Sequence, residues 1–485
     1  MTVNGLLQNT SKYSPILQAT FGLERESLRI NQENKVAQTN HPDKLGNRSF
    51  HPYIQTDYSE AQIELITPIG KTTQDALRTL EAITDVAGRS INQDEYLWPL
   101  SMPPKLGKDD IHIAKLDDAW ERQYREHLAE SYGKIIQSIS GIHYNIELGK
   151  DLVATLFEES NYDSLVHFKN DLYLKLAQNF LRYRWLLTYL YGASPIAEEG
   201  FLNAPLKQPV RSIRNSHLGY VNHTDIKVSY QSLEHYIADI ERYVSGNQLI
   251  AEKEFYSPVR LRGSKHVRDY LTKGVTYLEL RTFDLNPFDN RGITQETLDT
   301  VHLFILALLW LDSSSAIDQD ITEASKLNDK IALSHPLDKL PEDAPIESIL
   351  SAMQGIVDYF ELSDYYQGLI DAIKNQIDHP EQTIAGRLLD EIDNLSLESF
   401  GQKQGQAFHD YAWQAPYALK GYENMELSTQ LLMFDAIQKG VHLEILDEND
   451  QFIKLWHGDH VEYVKNANMT GKDSYITPLI MENKV

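Results

Sequence analysis

The sequence predicts an α+β protein built around an antiparallel or mixed sheet. Segments with the alternating apolar pattern of strands are scattered among helical segments, without the regular βαβ alternation that accompanies a parallel sheet. We find no internal repeat and no low-complexity tract. The 485 residues, 42% of them hydrophobic, are enough to bury a large core, which excludes a disordered chain.

Apolar spacing and capping residues predict the helices. Residues 72–91 carry alanine and leucine at helical spacing after threonines that suit an N-cap. Residues 163–191 are predicted to form one long helix, and residues 295–315 another. Several more helices are expected in residues 345–440, the last of which ends at Gly440.

Strands are predicted at both ends of the chain. Residues 1–70 have the composition of short strands and loops. Near the C-terminus, VHLEIL and QFIKLW flank the turn sequence DEND, which predicts a β-hairpin. Two of the strands that carry candidate chemistry lie within residues 1–70, and two more lie in the middle of the chain.

Composition excludes several classes of function. The net charge of −25 disfavours a nucleic acid or an anionic membrane as a partner. No cysteine is present, so neither a disulfide nor a catalytic thiolate exists. The N-terminus lacks the pattern of a signal peptide, and the longest apolar run, Leu303 to Leu311, is too short to span a bilayer. We therefore expect a soluble cytoplasmic protein.

Four predicted strands share an unusual pattern, with one apolar face and one face that carries acid or imidazole. In FGLERESLRI, Glu24 and Glu26 lie on one face because side chains alternate along a strand. Glu64 occupies the equivalent position in TDYSEAQIELITP, His143 in SISGIHYNIEL and Glu279 in GVTYLELRTFDLNPF. Two acids on one face repel each other unless a positive group lies between them.

Two interpretations of this pattern remain open at this point. Antiparallel sheets often have one solvated face, and that alone accounts for polar residues on each strand. Surface faces usually include lysine, however, and lysine is missing from all four of these faces. A concave sheet lined by carboxylates and one imidazole would suit Mg²⁺ or Mn²⁺. No HExxH or CxxC pattern indicates zinc.

Three further segments each carry a pair of arginines. Arginine makes bidentate contacts with phosphate or carboxylate, although a surface ion pair is the alternative for each one. The sequence contains neither a P-loop nor a Rossmann glycine turn, so a bound nucleotide would need another kind of site. The pairs are Arg122 and Arg125, Arg211 and Arg214, and Arg260 and Arg262.

A set of short stretches occurs here in an order that is far more specific than any single motif. They span roughly residues 20–290 and are FGLERESLRI, TDYSEAQIELITP, LWPLSMPP, YREHLAESYG, ISGIHYN, YLYGASP, LGYVN, YSPVR and YLELRTFDLNPF. Together they resemble the bacterial glutamate–cysteine ligases, also called γ-glutamylcysteine synthetases. The tail from STQLLMFDAI onward resembles the end of the ligase half of bifunctional glutathione synthetases. An ATP-grasp domain follows in those proteins, and because this chain stops at Val485 we expect the second activity to be missing.

The resemblance implies a fold and a reaction. The expected fold is a glutamine-synthetase-like catalytic domain with a curved, mainly antiparallel sheet surrounded by helices. Residues 1–440 would form this domain, with core motifs in 20–290 and helical support in 291–440. Residues 441–485 would form a C-terminal hairpin and tail that resembles the linker to an absent ATP-grasp domain. The implied reaction joins the γ-carboxylate of L-glutamate to the amine of L-cysteine, with ATP and two or three Mg²⁺ ions, or Mn²⁺, as the first step of glutathione biosynthesis.

The resemblance also implies roles for individual residues. Arg125 and Arg214 are expected to stabilise the transferred phosphoryl group, and Arg281 to contact substrate. Position 58 is commonly phenylalanine in relatives, so the tyrosine here adds a hydroxyl group. The implied metal ligands are Glu24, Glu26, Asp57, Glu64, His143 and Glu279. The implied cysteine pocket consists of Tyr58, Tyr124, Leu128, Gln137, Tyr220 and Tyr256.

Three rival functions are weighed against this one. The same acyl-phosphate chemistry with a different amine acceptor is the closest, and sequence alone does not separate the two. An ATP:guanidino phosphotransferase uses a related sheet, but its reactive cysteine loop is impossible here. A catalytically dead binding module would be free to lose metal ligands, yet all six positions keep the expected residue type. We expect a monomer or homodimer with small-molecule substrates.

Overall fold

The structure is a computed structural model that describes residues 7, 11, 15–107, 109–223 and 225–465. The strands in these residues are β1 (Ala19–Asn31), β2 (Ile54–Thr56), β3 (Gln62–Ile66), β4 (Glu95–Leu97), β5 (Ile142–Leu148), β6 (Val259–Arg262), β7 (Tyr277–Phe283), β8 (His442–Asp447), β9 (Phe452–His457) and β10 (His460–Lys465). The helices are α1 (Thr73–Ser90), α2 (Ala119–Tyr132), α3 (Lys150–Glu158), α4 (Leu165–Tyr183), α5 (Trp185–Tyr191), α6 (Leu233–Ser245), α7 (Tyr270–Lys273), α8 (Gln295–Trp310), α9 (Ile317–Ala332), α10 (Ile346–Tyr359), α11 (Asp364–Asp378), α12 (Ile384–Leu388), α13 (Glu398–Trp413) and α14 (Leu427–Gln438).

The central sheet has the strand order β2-β3-β1-β5-β7-β6, with β4 paired to β1. All of these pairings are antiparallel, which confirms the predicted α+β class. The register places Glu26 opposite Glu64 on β3, and Glu24 opposite His143 on β5. Glu279 on β7 lies opposite Asn145 of β5. The acidic strand faces predicted from sequence are therefore one continuous face of one sheet.

The other face of the sheet is the floor of the main hydrophobic core. Leu23, Ile63, Ile142, Tyr144 and Leu278 all point to this side and are essentially inaccessible to solvent. Helices α1 and α4 pack against the sheet. Because side chains alternate along each strand, burying this face fixes the direction of every residue on the polar face.

The helical layer is tied together by polar side chains of α4 that cap the end of α8. The Lys175 ammonium group donates to the Leu309 carbonyl over 2.9 Å, and the Asn179 amide donates to the Leu308 carbonyl over 2.8 Å. The last carbonyls of a helix have no partner within the helix and carry its negative dipole end, so a buried cation is stabilised there. Burial nevertheless lowers the pKa of Lys175 to about 7.

Most predicted elements are confirmed, with differences at the ends. Residues 72–91 form α1, whose N-cap is Thr72. The predicted helix 163–191 is wrong as a single element, since α4 ends at Tyr183 and α5 begins at Trp185. The predicted helix 295–315 stops at Trp310, where a polar stretch of poor helix formers follows.

The predicted hairpin near the C-terminus is confirmed and extended. β8 and β9 pair as an antiparallel hairpin, and β10 adds a third strand that the sequence analysis did not identify. The helix before it ends at Gln438, two residues before Gly440. Residues 466–485, the rest of the predicted tail, lie outside the described residues. The domain division at residue 440 stays a prediction.

Long apolar helices are absent from the part of the chain that the structure describes. None of the helices there is both long and apolar enough to cross a membrane. The most apolar helix, α8, has 16 residues, fewer than the roughly 20 that a bilayer requires.

The buried ammonium group of Lys175 predicts a measurable pH dependence of stability. The unfolded chain binds a proton at this site up to about pH 10.5, whereas the folded protein releases it near pH 7. The free energy of unfolding should therefore rise with pH between 7 and 10, by up to about 1.4 kcal/mol per pH unit. The measurement is urea denaturation at several pH values, and Lys175→Met should lack this part of the slope. Identical slopes in the two proteins would contradict the burial of an ionisable amine.

Candidate active site

A cavity of about 330 Å³ opens on the polar face of the central sheet. Every site residue assigned in the sequence analysis lines this cavity except Glu24 and Glu279. The assigned residues in its walls are Glu26, Asp57, Tyr58, Glu64, Tyr124, Arg125, Leu128, Gln137, His143, Arg214, Tyr220, Tyr256 and Arg281. The antiparallel register brings Glu26, Glu64, His143 and Arg281 together, and the other assigned residues come from α2 and from loops.

The imidazole of His143 lies at the centre of the acidic group. Its Nδ1 atom is 2.9 Å from Glu24 Oε2 and 3.9 Å from Glu279 Oε1, while Nε2 is 3.6 Å from Glu26 Oε1. Glu24 and Glu279 therefore adjoin the cavity through His143 although they do not line it. Glu24, Glu64 and His143 each offer a ligand atom, and these three atoms lie within 4.8 Å of one another.

Electrostatic repulsion among these carboxylates is strongest at Glu64. Burial raises its pKa well above the ordinary value, and Asp57, Glu24 and Glu26 raise it further. Burial also raises the pKa of Glu26, an effect that nearby His143 opposes. Carboxylates held this way retain protons unless a cation offsets their charge. The polar face of the sheet is thus built to be completed by a positive group.

Glu279 differs from the other acids because arginines surround it. Burial alone would raise its pKa, but Arg281 and Arg262 outweigh burial and hold the pKa of Glu279 well below the ordinary value. Its carboxylate accepts a hydrogen bond from Arg262 Nε, and Arg281 Nε lies 3.5 Å away. Without a bound metal, Glu279 is thus already neutralised by the protein.

The donor set fits a hard divalent cation. Carboxylate oxygens with one imidazole suit Mg²⁺ or Mn²⁺, whereas zinc sites usually include thiolate or several imidazoles. Glu24, Glu64 and His143 are the residues that could hold such an ion together, and the raised pKa of Glu64 indicates that one carboxylate there lacks a positive partner. Glu26 and Asp57 lie on the same cavity wall.

Arg125 and Arg214 both line the cavity. Arg125, on α2, donates to the Asp57 carbonyl over 2.8 Å and to Glu121 Oε2 over 2.9 Å. Arg214 donates to the carbonyl of Arg281 over 3.0 Å, but its other terminal nitrogen, Nη1, has no hydrogen-bond partner among the described residues. Nη1 lies 3.8 Å from Asp284 Oδ1, so an anionic ligand would share this nitrogen with a buried acid.

A glycine makes room for Arg214. A Cβ atom built on Gly141 would lie only 2.2 Å from Arg214 Nη2. The backbone of Gly141 is also held, because its N–H donates to Glu26 Oε2 over 2.9 Å and its carbonyl accepts from the Glu26 N–H over 3.0 Å. The absence of a side chain here lets a guanidinium group lie against the sheet beside a candidate metal ligand.

Aromatic residues form the wall opposite the metal cluster. The rings of Tyr220 and Tyr256 meet edge to face at 5.2 Å, and the guanidinium of Arg281 lies 5.2 Å from the Tyr256 ring centre. The Tyr58 hydroxyl and the Gln137 amide nitrogen are buried without a hydrogen-bond partner in the described part of the chain. Burial raises the pKa of Tyr58 to about 12, so this hydroxyl keeps its proton. Such groups suit the polar atoms of a small ligand.

The sequence analysis missed a lysine at the mouth of the cavity. Lys253 Nζ lies 2.6 Å from Glu121 Oε1 and sits over the rings of Trp120 and Tyr124, 4.5 and 4.2 Å from their centres. Lys253 and the neighbouring Glu254 both line the cavity. These residues belong to a short 3₁₀ turn before β6, where no alternating pattern predicts which way a side chain points.

The paired arginines have divided roles. Arg260 and Arg262 line the cavity together with Arg125 and Arg214. Arg122 instead donates to the Leu116 carbonyl, and the fully buried Arg211 donates to the carbonyls of Tyr189, Pro336 and Asp338. Arg122 and Arg211 are thus structural, and the surface ion pair considered for them is wrong.

Comparison with known proteins agrees with this geometry. The family model described as glutamate-cysteine ligase matches residues 5–250 and 242–331, which is more than half of the chain. The chain belongs to the glutamate-cysteine ligase family. A model described as an ATP-grasp-like domain matches residues 423–476. The glutamate-cysteine ligase match includes every candidate site residue, whereas the ATP-grasp-like match includes none of them.

Two curated relatives are similar to this chain over its whole length. The glutathione biosynthesis bifunctional protein of Streptococcus agalactiae is 68% identical over all of this chain, which covers 65% of that protein. The corresponding protein of Enterococcus faecalis is 47% identical, again over all of this chain and 65% of the relative. The chain thus spans about two thirds of the length of these curated relatives.

Two solved structures are similar to this member of the glutamate-cysteine ligase family. A bifunctional glutathione synthetase from Pasteurella multocida matches with a TM-score of 0.90 and 45% identity, over 99% of this chain and 63% of that one. A glutamate–cysteine ligase from Francisella tularensis, solved in complex with AMP, matches with a TM-score of 0.76 and 23% identity, over 88% of this chain and 93% of that one. At that identity the second likeness supports the fold alone.

The substitution Glu64→Gln should stabilise the metal-free protein but reduce the stabilisation that Mg²⁺ provides. When a chelator removes divalent metal, Glu64→Gln should raise the free energy of unfolding at pH 7. The folded state holds the Glu64 proton more tightly than the unfolded chain does, so the wild-type protein loses stability as pH rises above about 4.5. The glutamine does not ionise and avoids this loss. With Mg²⁺ at 100 times its dissociation constant, the wild-type protein should gain about 2.7 kcal/mol, and the variant should lose most of that gain. Thermal unfolding with and without Mg²⁺ measures both effects.

Glu147→Gln is the matched control, since Glu147 lies further along the same face of β5 and outside the cavity. It should leave the Mg²⁺-dependent stabilisation unchanged. A Glu64→Gln protein that gains as much stability from Mg²⁺ as the wild-type protein would show that Glu64 does not bind the metal.

Proposed function

We propose that this chain catalyses the ATP-dependent ligation of the L-glutamate γ-carboxylate to the amine of L-cysteine, giving γ-glutamylcysteine, ADP and phosphate. The observation that carries the proposal is the single cavity in which an acidic floor, a basic rim and a tyrosine wall meet. Membership of the glutamate-cysteine ligase family supports the same reaction. This would be the first step of glutathione biosynthesis.

The first chemical step follows from the poor reactivity of a carboxylate. A carboxylate oxygen of glutamate attacks the γ-phosphorus of ATP, the bond to the ADP oxygen breaks, and an acyl phosphate forms. Negative charge spreads over the transferred phosphoryl group during this step, so fixed donors that point at it lower the barrier. Arg125 and Arg214 are proposed for this role, because both line the cavity and Arg214 Nη1 is unpartnered.

Divalent metal is the proposed cofactor, as two or three Mg²⁺ ions, with Mn²⁺ as a substitute. The residues proposed to hold these ions are Glu24, Glu26, Asp57, Glu64, His143 and Glu279. When bound, the metal would neutralise phosphate charge and polarise the phosphoryl oxygens. Glu279 would hold metal only in place of part of its contact with Arg262, whereas burial and neighbouring acids raise the pKa of Glu64, which a cation would offset.

The second step needs a pocket that presents an amine to the acyl phosphate. The nitrogen of cysteine attacks the γ-carbonyl carbon, the carbon–oxygen bond to phosphate breaks, and a proton leaves the nitrogen. Tyr58, Tyr124, Leu128, Gln137, Tyr220 and Tyr256 are proposed to hold the acceptor, with Arg281 contacting substrate beside Tyr256. The unpartnered Tyr58 hydroxyl and Gln137 amide are suitable contacts for its polar atoms.

The test is phosphate release from ATP in the presence of Mg²⁺ and glutamate. Release that requires cysteine, with γ-glutamylcysteine detected by mass spectrometry, is expected. Release with another amine but not with cysteine would replace the proposed acceptor while keeping the acyl-phosphate chemistry. The absence of turnover with every amine would overturn the proposal. The assay uses this 485-residue chain alone, without the additional sequence that the Pasteurella relative carries.

Gly141→Ala tests the role of Arg214 without changing any charged residue. The added methyl group would overlap the guanidinium, so Arg214 must move away from the floor of the cavity. We expect kcat to fall by about tenfold or more, which corresponds to about 1.4 kcal/mol of lost transition-state stabilisation. The melting temperature should change little if the side chain alone moves.

Gly88→Ala is the control for this substitution. It adds the same methyl group on α1, where the nearest atom outside the helix is 3.9 Å away. Its activity should equal that of the wild-type protein. If Gly141→Ala were equally active, the close packing of Arg214 against the sheet would have no catalytic importance.

The boundary between the catalytic unit and the C-terminal segment is a further proposal. The ATP-grasp-like match at residues 423–476 crosses the predicted domain boundary at residue 440. The division into a catalytic unit of residues 1–440 and a C-terminal segment of residues 441–485 remains a proposal. Activity of a chain ended at residue 440 would test the division.

A further inference from the structure

A second cavity lies behind the tyrosine wall of the candidate active site. Its volume is about 880 Å³, and it is bounded by α4, α9 and residues 255–258. It shares only Arg214, Tyr220 and Tyr256 with the active-site cavity, and none of the proposed metal ligands lines it. The two cavities are thus neighbours on either side of one wall.

Arg184 is the distinctive feature of this second cavity. It stands between α4 and α5, where its backbone continues the helical hydrogen bonds to Phe180 and Thr188. The residue is 8% exposed, and its Nε atom is buried without a hydrogen-bond partner among the described residues. Burial lowers the pKa of Arg184 to about 10, and only the more distant charges of Tyr256 and Asp329 act against this.

Other buried arginines of this chain have terminal nitrogens that bond within the protein, although Nε of Arg29 and of Arg211 is, like Nε of Arg184, buried without a partner. Arg211 donates to three backbone carbonyls, and Arg29 donates to Glu95 and to the carbonyls of Thr39 and Glu60. A buried N–H group without an acceptor lowers the stability of the folded protein unless another molecule completes its hydrogen bond. A ligand anion in the adjoining cavity would supply the missing acceptor.

The acids in this cavity are already engaged and do not reach Arg184. The Asp329 carboxylate accepts a hydrogen bond from the His217 backbone N–H over 2.7 Å and lies 2.9 Å from the His217 imidazole Nδ1. Asp318 accepts from Ser229 and from the Tyr230 N–H. Arg214, Lys227 and Lys326 also line the cavity, so the acids do not leave it negatively charged. The planar guanidinium of Arg184 offers a fork of donors that matches one carboxylate group.

The remaining walls indicate what else the ligand carries. Leu181, Tyr230 and Phe255 are buried apolar or aromatic residues that line the cavity, and Ile321 contributes from α9. Apolar walls with one buried charged group are typical of sites for small organic ions. We propose that this cavity is a second ligand site, which binds a small organic monocarboxylate through a bidentate contact with Arg184.

The test uses N-acetyl-L-alanine, which has a carboxylate and an apolar body but no free amine. Ligand-observed NMR titration against the wild-type chain should detect binding, and Arg184→Met should weaken it about tenfold or more, the loss expected when charge-assisted hydrogen bonds are removed. The amide of the same compound should not bind. Lys326→Met is the control, since Lys326 lines the same cavity with an exposed side chain and should leave binding unchanged.

Two further measurements keep the result interpretable. Arg184→Met should melt no lower than the wild-type chain without ligand, because it removes an unpaired buried charge; a large loss of stability would show that the guanidinium has a structural partner and overturn the proposal. Binding should also persist with glutamate and cysteine at saturation and without ATP. Displacement by them, equal binding to Arg184→Met, tighter binding of inorganic phosphate, or no binding to the wild-type chain would each overturn it. These measurements need no turnover, so they do not depend on the proposed ligase activity.

Discussion

The repulsion among buried carboxylates on one sheet face is the constraint on which the rest of the site depends. Antiparallel pairing places Glu26 opposite Glu64 and Glu24 opposite His143, so the register that buries the apolar face also concentrates negative charge on the other. A one-residue slip would relieve the repulsion but would expose the core side chains. The hydrophobic face therefore holds the acids together, and a cation is needed to neutralise them.

The protein balances this floor only in part. Arginines neutralise Glu279, whereas burial and neighbouring acids raise the pKa of Glu64. The basic residues otherwise stand at the rim, where Arg125 is held by backbone and Glu121 and Arg214 is held by the Arg281 carbonyl. The acidic floor would bind cations, and the arginines beside it would bind anions. This arrangement suits a complex of a metal ion with a polyphosphate, even in a chain whose net charge is −25.

Strand periodicity explains why much of the site could be predicted from sequence. Glu24, Glu64 and His143 alternate with core residues, so burial of the neighbours fixed their direction before any partner was known. The same reasoning fails off the sheet. Lys253 comes from a 3₁₀ turn, and the difference between Arg211 and Arg214, three residues apart, depends on carbonyls contributed by residues more than a hundred positions later. Family resemblance identified Arg214, but no local pattern identified Lys253 or the unpaired Arg184.

Several of the buried polar atoms that lack a hydrogen-bond partner lie together at the active-site cavity, although others are scattered through the core. Buried polar groups are normally paired, and the guanidinium of Arg211 shows how completely this chain satisfies a structural arginine through its terminal nitrogens. Arg214 Nη1, the Tyr58 hydroxyl and the Gln137 amide break that rule, and all three face one cavity. Local departures from full satisfaction cost stability, so their clustering argues that a ligand completes the hydrogen bonds there. The same argument supports the proposed second ligand, because the unpartnered Nε of Arg184 belongs to a residue that lines a different cavity.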